Sequence, residues 1–184
     1  VKEKVLKAAL GALAQQQTKV YLDIGSYIHH AKADVMNGSF GTSYDAISGI
    51  IGKLYKTIFK KDPTAEEIKM YTLHFFKVNL EETKKFLASS PETLFVFAAG
   101  NEGSNNDEWP TSPTNVEAEN KISVAATLGD QALANFSCYG AKNVDVAAPG
   151  VGIISTTPMN HYLAVSGTSQ ASPYVANIAG RIKD

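Results

Sequence analysis

Five consecutive residues, Leu94-Phe95-Val96-Phe97-Ala98, carry no polar side chain, and the run breaks at once into Gly100-Asn101-Glu102-Gly103. Successive side chains of a strand point to opposite faces, so a strand apolar throughout has to be covered on both sides. That requirement excludes a one-sided antiparallel sheet and asks for helices above and below. Val35–Ser39, Ile122–Ala126 and Val144–Ala147 read as further strands, and helical patterns lie between them. The expected fold class is therefore α/β, a mostly parallel sheet flanked by helices. In such sheets ligands sit beyond the C-terminal ends of the strands, which is where the glycine-flanked Asn101 falls. Its carboxamide can donate to a developing oxyanion; the plainer reading is that it stabilises a turn.

A second junction lies near the end of the chain. His161–Val165 is strand-like and pairs with Ile153–Thr156 through a turn at Pro158-Met159-Asn160. Tyr174–Ile182 carries apolar residues at helical spacing, and Pro173 suits only the first turn or so of that helix. Ser169, in Ser166-Gly167-Thr168-Ser169-Gln170-Ala171-Ser172-Pro173, thus falls at a strand–turn–helix junction. Unpaired N–H groups and the positive end of the helix dipole favour negative charge there. A nucleophilic serine suits the place, and so does a simple helix cap.

Elsewhere the spacing predicts helices over 1–16, 21–31, 44–59, 64–78 and 81–88. Thr64 with Glu67 has the form of a capping box, and Asn79 with Glu82 is a second candidate. Gly38 inside its strand suggests a close neighbour packed on the backbone. His29 and His30 are adjacent on one helix and splay apart, His74 sits on a helical apolar face, and His161 lies at the far end of a hairpin. None of the four reads as a metal ligand or a base.

Composition narrows the classes. Lys plus Arg number 17 against 18 Asp plus Glu, which gives no basic excess for nucleic acid or an anionic membrane. No apolar run approaches the roughly 20 residues of a membrane span. With 184 residues, one domain is expected. Cys138 is the only cysteine, so an internal disulfide is impossible and a small buried residue is expected. The Asn-x-Ser sequons at Asn37 and Asn135 fall in segments expected to be tightly packed. The chain opens on Val1 without a leader-like segment, which reads as a processed or excised piece.

Gly167-Thr168-Ser169-Gln170-Ala171-Ser172-Pro173 resembles the G-T-S-x-A-S-P nucleophile motif of subtilisin-like serine proteases. Three more blocks follow that family in order. Ala33–Gly41 resembles the strand and Ser-x-Gly segment bordering the substrate groove, and Phe97–Gly103 resembles the A-A-G-N-x-G oxyanion block. Asn135-Phe136-Ser137 through Asp145–Gly150 resembles the F-S-x-x-G and D-x-x-A-P-G connection. The resemblance implies a subtilisin-like fold and acyl transfer. Ser169 would be the nucleophile and Asn101 an oxyanion donor, with Ser39, Phe40, Gly41, Ala99, Gly100 and Thr168 bordering a polypeptide substrate. It also implies an extracytoplasmic or secreted setting and leaves calcium open as a cofactor. Ser104–Asp107 holds oxygen ligands, but not in a calcium-loop pattern.

Two family motifs are missing: nothing matches the H-G-T-H-V-A-G histidine block or the aspartate strand. The expected picture is a single partial catalytic domain over 1–184 with a helical insertion at about 42–93 that enlarges the rim of the site. A segment carrying the catalytic Asp and His is the implied partner, and the isolated chain is expected to be inactive. A non-catalytic peptide-binding or interaction module is the alternative. An esterase is disfavoured, because no G-x-S-x-G elbow is present.

Overall fold

Alternate side chains of the apolar run part to opposite faces of a sheet. Phe95 and Phe97 pack with Ile28, Phe86, Leu87 and Val116 on one side, while Val96 meets Val124, Ala126, Ala148 and Ala171 on the other. The computed structural model describes residues 1–129 and 132–183. In chain order its elements are α1 (Lys2–Ala31), β1 (Val35–Gly38), α2 (Tyr44–Phe59), α3 (Ala65–Ala88), β2 (Leu94–Ala98) and β3 (Lys121–Leu128). There follow β4 (Ala132–Leu133), β5 (Val146–Pro149), β6 (Ile153–Thr157), β7 (His161–Val165) and α4 (Thr168–Lys183). β1, β2, β3 and β5 are parallel neighbours, and β4 pairs antiparallel with the last residues of β3. α1 and α3 cover one face and α4 the other. The fold is α/β with a mostly parallel sheet between helices. β6 and β7 form a separate antiparallel hairpin turned by Pro158–Asn160.

The helices are longer than the sequence pattern suggests. The expected helices over 1–16 and 21–31 are one, α1, because residues 17–20 contain no breaker and Gly25 does not interrupt. Gly25 is instead a notch: a Cβ there would lie 3.0 Å from Phe86 Cδ2, so its absence lets α3 approach closely. The helices over 64–78 and 81–88 are likewise one, α3. Asn79 caps nothing; it is buried inside α3 and donates from Nδ2 to Gln17 Oε1 at 3.4 Å. The capping box at Thr64 is present, with Glu67 N–H donating to Thr64 Oγ1 and Thr64 N–H to Glu67 Oε2. α4 starts earlier than expected, at Thr168, which places Pro173 inside it.

Gly38 lies against the Phe97 ring, where a Cβ would come within 2.5 Å of Cδ1. The first half of α1, with α2 and the first half of α3, builds a second core from Leu6, Leu10, Ile47, Ile51, Tyr55, Tyr71 and Phe75. The strand expected at Val144 begins two residues later, because Asp145 is held as a connector. Its N–H donates to Ser123 O (3.0 Å) and its carboxylate accepts from Ser123 N–H (2.7 Å). Asn37 and Asn135 are exposed, contrary to expectation. Cys138 is buried. Among the described residues no helix is long and apolar enough to cross a membrane.

Candidate active site

Ser169 is the second residue of α4, in the first turn, where backbone N–H groups have no intrahelical acceptor. The turn is tight: Gly167 N–H donates to Gly150 O (2.8 Å), and a Cβ on Gly150 would meet Gly167 O at 2.7 Å. From the end of β2, Gly100 adopts φ 113°, a region open to glycine, and Asn101 projects from the loop that follows. Asn101 Oδ1 accepts two hydrogen bonds from the start of α4, from Thr168 N–H (2.9 Å) and Thr168 Oγ1 (3.0 Å). Thr168 Oγ1 in turn accepts from Gly100 N–H at 3.2 Å. With Oδ1 occupied, the carboxamide presents Nδ2 as its remaining donor, and Nδ2 has no acceptor among the described residues.

These groups line one cavity of about 330 Å³. Ser39, Phe40, Gly41, Gly100, Asn101, Thr168 and Ser169 are all in its wall. Ala99 is not; it is fully buried, with its N–H donating to Val124 O and its carbonyl accepting from Asn106 Nδ2. Gly41 leads into an antiparallel bridge in which Thr42 and Ser112 exchange both backbone hydrogen bonds (2.8 and 3.1 Å).

Ser39 does more than border the cavity. Pro173 has no N–H, so the carbonyl four residues before it, that of Ser169, loses its helical donor. Ser39 Oγ supplies the missing hydrogen bond, donating to Ser169 O at 2.9 Å, and it also meets Ser172 Oγ at 3.0 Å. The end of β1 is thereby tied to the peptide of Ser169.

Two further side chains steady the Asn101 loop. Glu102 Oε2 accepts from Asn101 N–H (2.9 Å) and from Cys138 Sγ (3.3 Å), and Cys138 N–H donates to Gly100 O at 3.0 Å. Sequence reasoning assigned neither residue to the site. Pro173, placed four after Ser169, was a readable signal for the Ser39 contact; nothing comparable marked Cys138.

Residues 4–184 match the subtilase family model, Peptidase_S8. The chain belongs to the subtilase family. It is 42% identical over 96 residues to alkaline elastase YaB of Bacillus sp. (strain YaB), covering 52% of this chain and 24% of that protein. It is 43% identical over 88 residues to thermitase of Thermoactinomyces vulgaris, covering 48% of this chain and 29% of thermitase. A cold-adapted subtilisin-like serine proteinase of known structure superposes with a TM-score of 0.56 at 21% identity, over 90% of this chain and 48% of its own. The prenylagaramide maturation protease PagA gives 0.52, also at 21%, over 86% and 47%. The chain thus shares the subtilisin-like fold, and its matches span about a quarter to a half of these relatives' lengths.

Within this subtilase chain Ser169 Oγ has no hydrogen-bond partner among the described residues. None of the four histidines lines the cavity. His29 and His30 lie in the last turn of α1, and His161 is exposed at the start of β7. Calcium does not fit the Ser104–Asp107 loop. Asp107 accepts from Lys142 N–H, Asn143 N–H and Asn143 Nδ2, so its oxygens already serve as a staple between two loops. Desolvation works to raise its pKa, but the Asn143 amide and the backbone N–H groups of 141–143 prevail and hold the carboxyl below its ordinary range. Among the described residues no group of three or more His, Cys, Asp or Glu is gathered as a metal site.

A buried Ser–Lys pair lies elsewhere, with Lys121 Nζ donating to Ser123 Oγ at 2.8 Å. Ser123 is wholly out of solvent and donates to Thr114 O. Lys121 Nζ also donates to Thr114 O and lies 3.3 Å from Asp145 Oδ2, a bracing arrangement outside the wall of the cavity.

Proposed function

We propose that this chain supplies the nucleophile and oxyanion half of a serine endopeptidase. Ser169 Oγ attacks the scissile carbonyl of a polypeptide, and the oxyanion that forms is received by Asn101 Nδ2 and the Ser169 N–H. The observation that carries the reading is the clamp of Thr168 on Asn101 Oδ1, which fixes the donor edge of the amide beside Ser169. A donor held in place before charge develops needs no reorganisation when it does.

A serine hydroxyl needs an adjacent base at neutral pH, and in this family a His oriented by an Asp provides it. In this reading both come from a further polypeptide segment. Two features suit its docking. One edge of β1 is unpaired, since β2 is its only strand neighbour among the described residues. α4, which packs against β1, leaves Tyr174, Ile178 and Ile182 exposed, and the hairpin leaves Ile154, Tyr162 and Leu163 exposed. An extracytoplasmic setting belongs to the same proposal. The second reading, a peptide-binding module without turnover, draws on the unpartnered Ser169 hydroxyl.

The test is complementation. Residues 1–184 alone are expected to show negligible peptidase turnover. With the Asp- and His-bearing segment supplied, a fluorophosphonate is expected to modify Ser169 and to spare Ser172, which is buried against Ser39. Modification of Ser172, or none with the segment bound, would overturn the assignment. In the complemented enzyme Asn101→Ala should lower kcat by about 10²–10³; that magnitude was measured in subtilisin itself and is carried here by family membership.

A further inference from the structure

Part of the cavity wall comes from outside the sheet. Ser43, Ala46, Ile47 and Ile50 all line it, and their spacing of three, four and seven residues is one continuous face over the first two turns of α2. α2 belongs to the helical segment that separates the groove-bordering block from the oxyanion block. Its inward stripe, Ile47, Ile51 and Tyr55, is fixed in the helical core. Ile50 is different: it is large, apolar and 39% exposed, and the space it faces is the one that holds Ser169 and Asn101.

Gln17 joins this wall from α1. Its Oε1 accepts from buried Asn79 at 3.4 Å, which leaves Nε2 as a donor.

We propose that the first two turns of α2 are a specificity wall, with Ile50 and Ala46 selecting substrates that present a medium-sized apolar side chain such as leucine. This rests on the reading of the cavity as a substrate cleft and adds the substrate class. An apolar group seated against Ile50 removes surface from water on both partners, which is where discrimination between side chains arises. Ala46, one helical turn back on the same face, keeps the space open; a larger residue there fills it. Gln17 Nε2 meets a main-chain carbonyl of the bound peptide.

The experiment measures binding to residues 1–184 by fluorescence anisotropy. The probes are fluorescein-tagged alanine hexamers in which one central residue is Ala, Leu or Phe. The uniform host lets each peptide slide until its one distinct side chain finds the pocket. The Leu peptide is expected to bind about tenfold more tightly than the all-Ala peptide. Ile50→Ala should shrink that ratio at least about threefold. Ala46→Phe should bring the ratio of Leu-peptide to all-Ala-peptide affinity down to about one. Both positions are solvent-facing, and circular dichroism confirms that the variants remain folded.

Ratios unchanged in both variants would overturn the wall while the substrate cleft stands. A folded chain that binds none of the three peptides would overturn the cleft reading and the wall together.

Discussion

In the helical bundle Leu6, Leu10, Ile51 and Phe75 are wholly out of solvent, whereas along the hairpin Ile154, Tyr162 and Leu163 are 73, 72 and 56% exposed. The two regions are built from similar residues. Their difference is geometric: three helices converge so that each apolar stripe meets another, while α4 and the hairpin turn theirs outward. Tyr174, Ile178 and Ile182 form a second exposed stripe along α4. In the proposed reading this apolar area is the surface that the Asp- and His-bearing segment covers. The helical end, by contrast, buries its apolar stripes within itself, and α2 lines the cavity that holds Ser169.

Paired substitutions put this contrast to the test. Phe75→Ala should cost about 3–5 kcal/mol in urea unfolding of residues 1–184, as for other wholly buried aromatics. Leu163→Ala should change the same quantity by less than about 0.5 kcal/mol. A large cost for Leu163 would mean that the outward face is already covered, by self-association, and the contrast would collapse. Two helical glycines sharpen it at smaller scale. Gly25→Ala drives a methyl into Phe86 and Ser89 and should cost about 1–3 kcal/mol. Gly180→Ala in α4 meets nothing within 4 Å and should stabilise by about 0.4–1 kcal/mol.

The smallest effect concerns the loops behind the cleft. Asp107 has a depressed pKa in the folded chain, so its contribution is full at neutral pH. It fades as the pH falls below the ordinary aspartate value of 3.8 and is gone below the folded-state value. Asp107→Asn should therefore lower the urea midpoint at pH 7 and flatten its decline towards pH 3. A decline as steep as in the parent chain would assign the acid sensitivity to other carboxylates.

Much of this was legible in the sequence because it is local. The run Leu94–Ala98 announced a two-sided strand, Thr64 and Glu67 announced a helix start, and α2 and β7 have the predicted bounds. The misjudged boundaries are those where a local signal lost to packing. Gly25 and Asn79 look like interruptions, yet one admits a neighbouring helix and the other is a buried polar link to Gln17. Site contacts between distant segments were hidden for the same reason. Asn101 and Thr168 were both readable as candidates, but their hydrogen bond belongs to the fold. The helical segment holding α2 was expected at the rim of the site, but its periodicity did not tell which of its residues would line the cavity.

Proline 173 carries one last implication. The first turn of α4 cannot satisfy itself, because the hydrogen that an ordinary residue would offer to the Ser169 carbonyl is absent, and a hydroxyl from Ser39, at the end of β1, stands in for it. An isolated peptide spanning α4 would leave that oxygen to water. The peptide of Ser169 is therefore satisfied only when two remote pieces of chain have met, so that assembly of the sheet and seating of that residue are a single event.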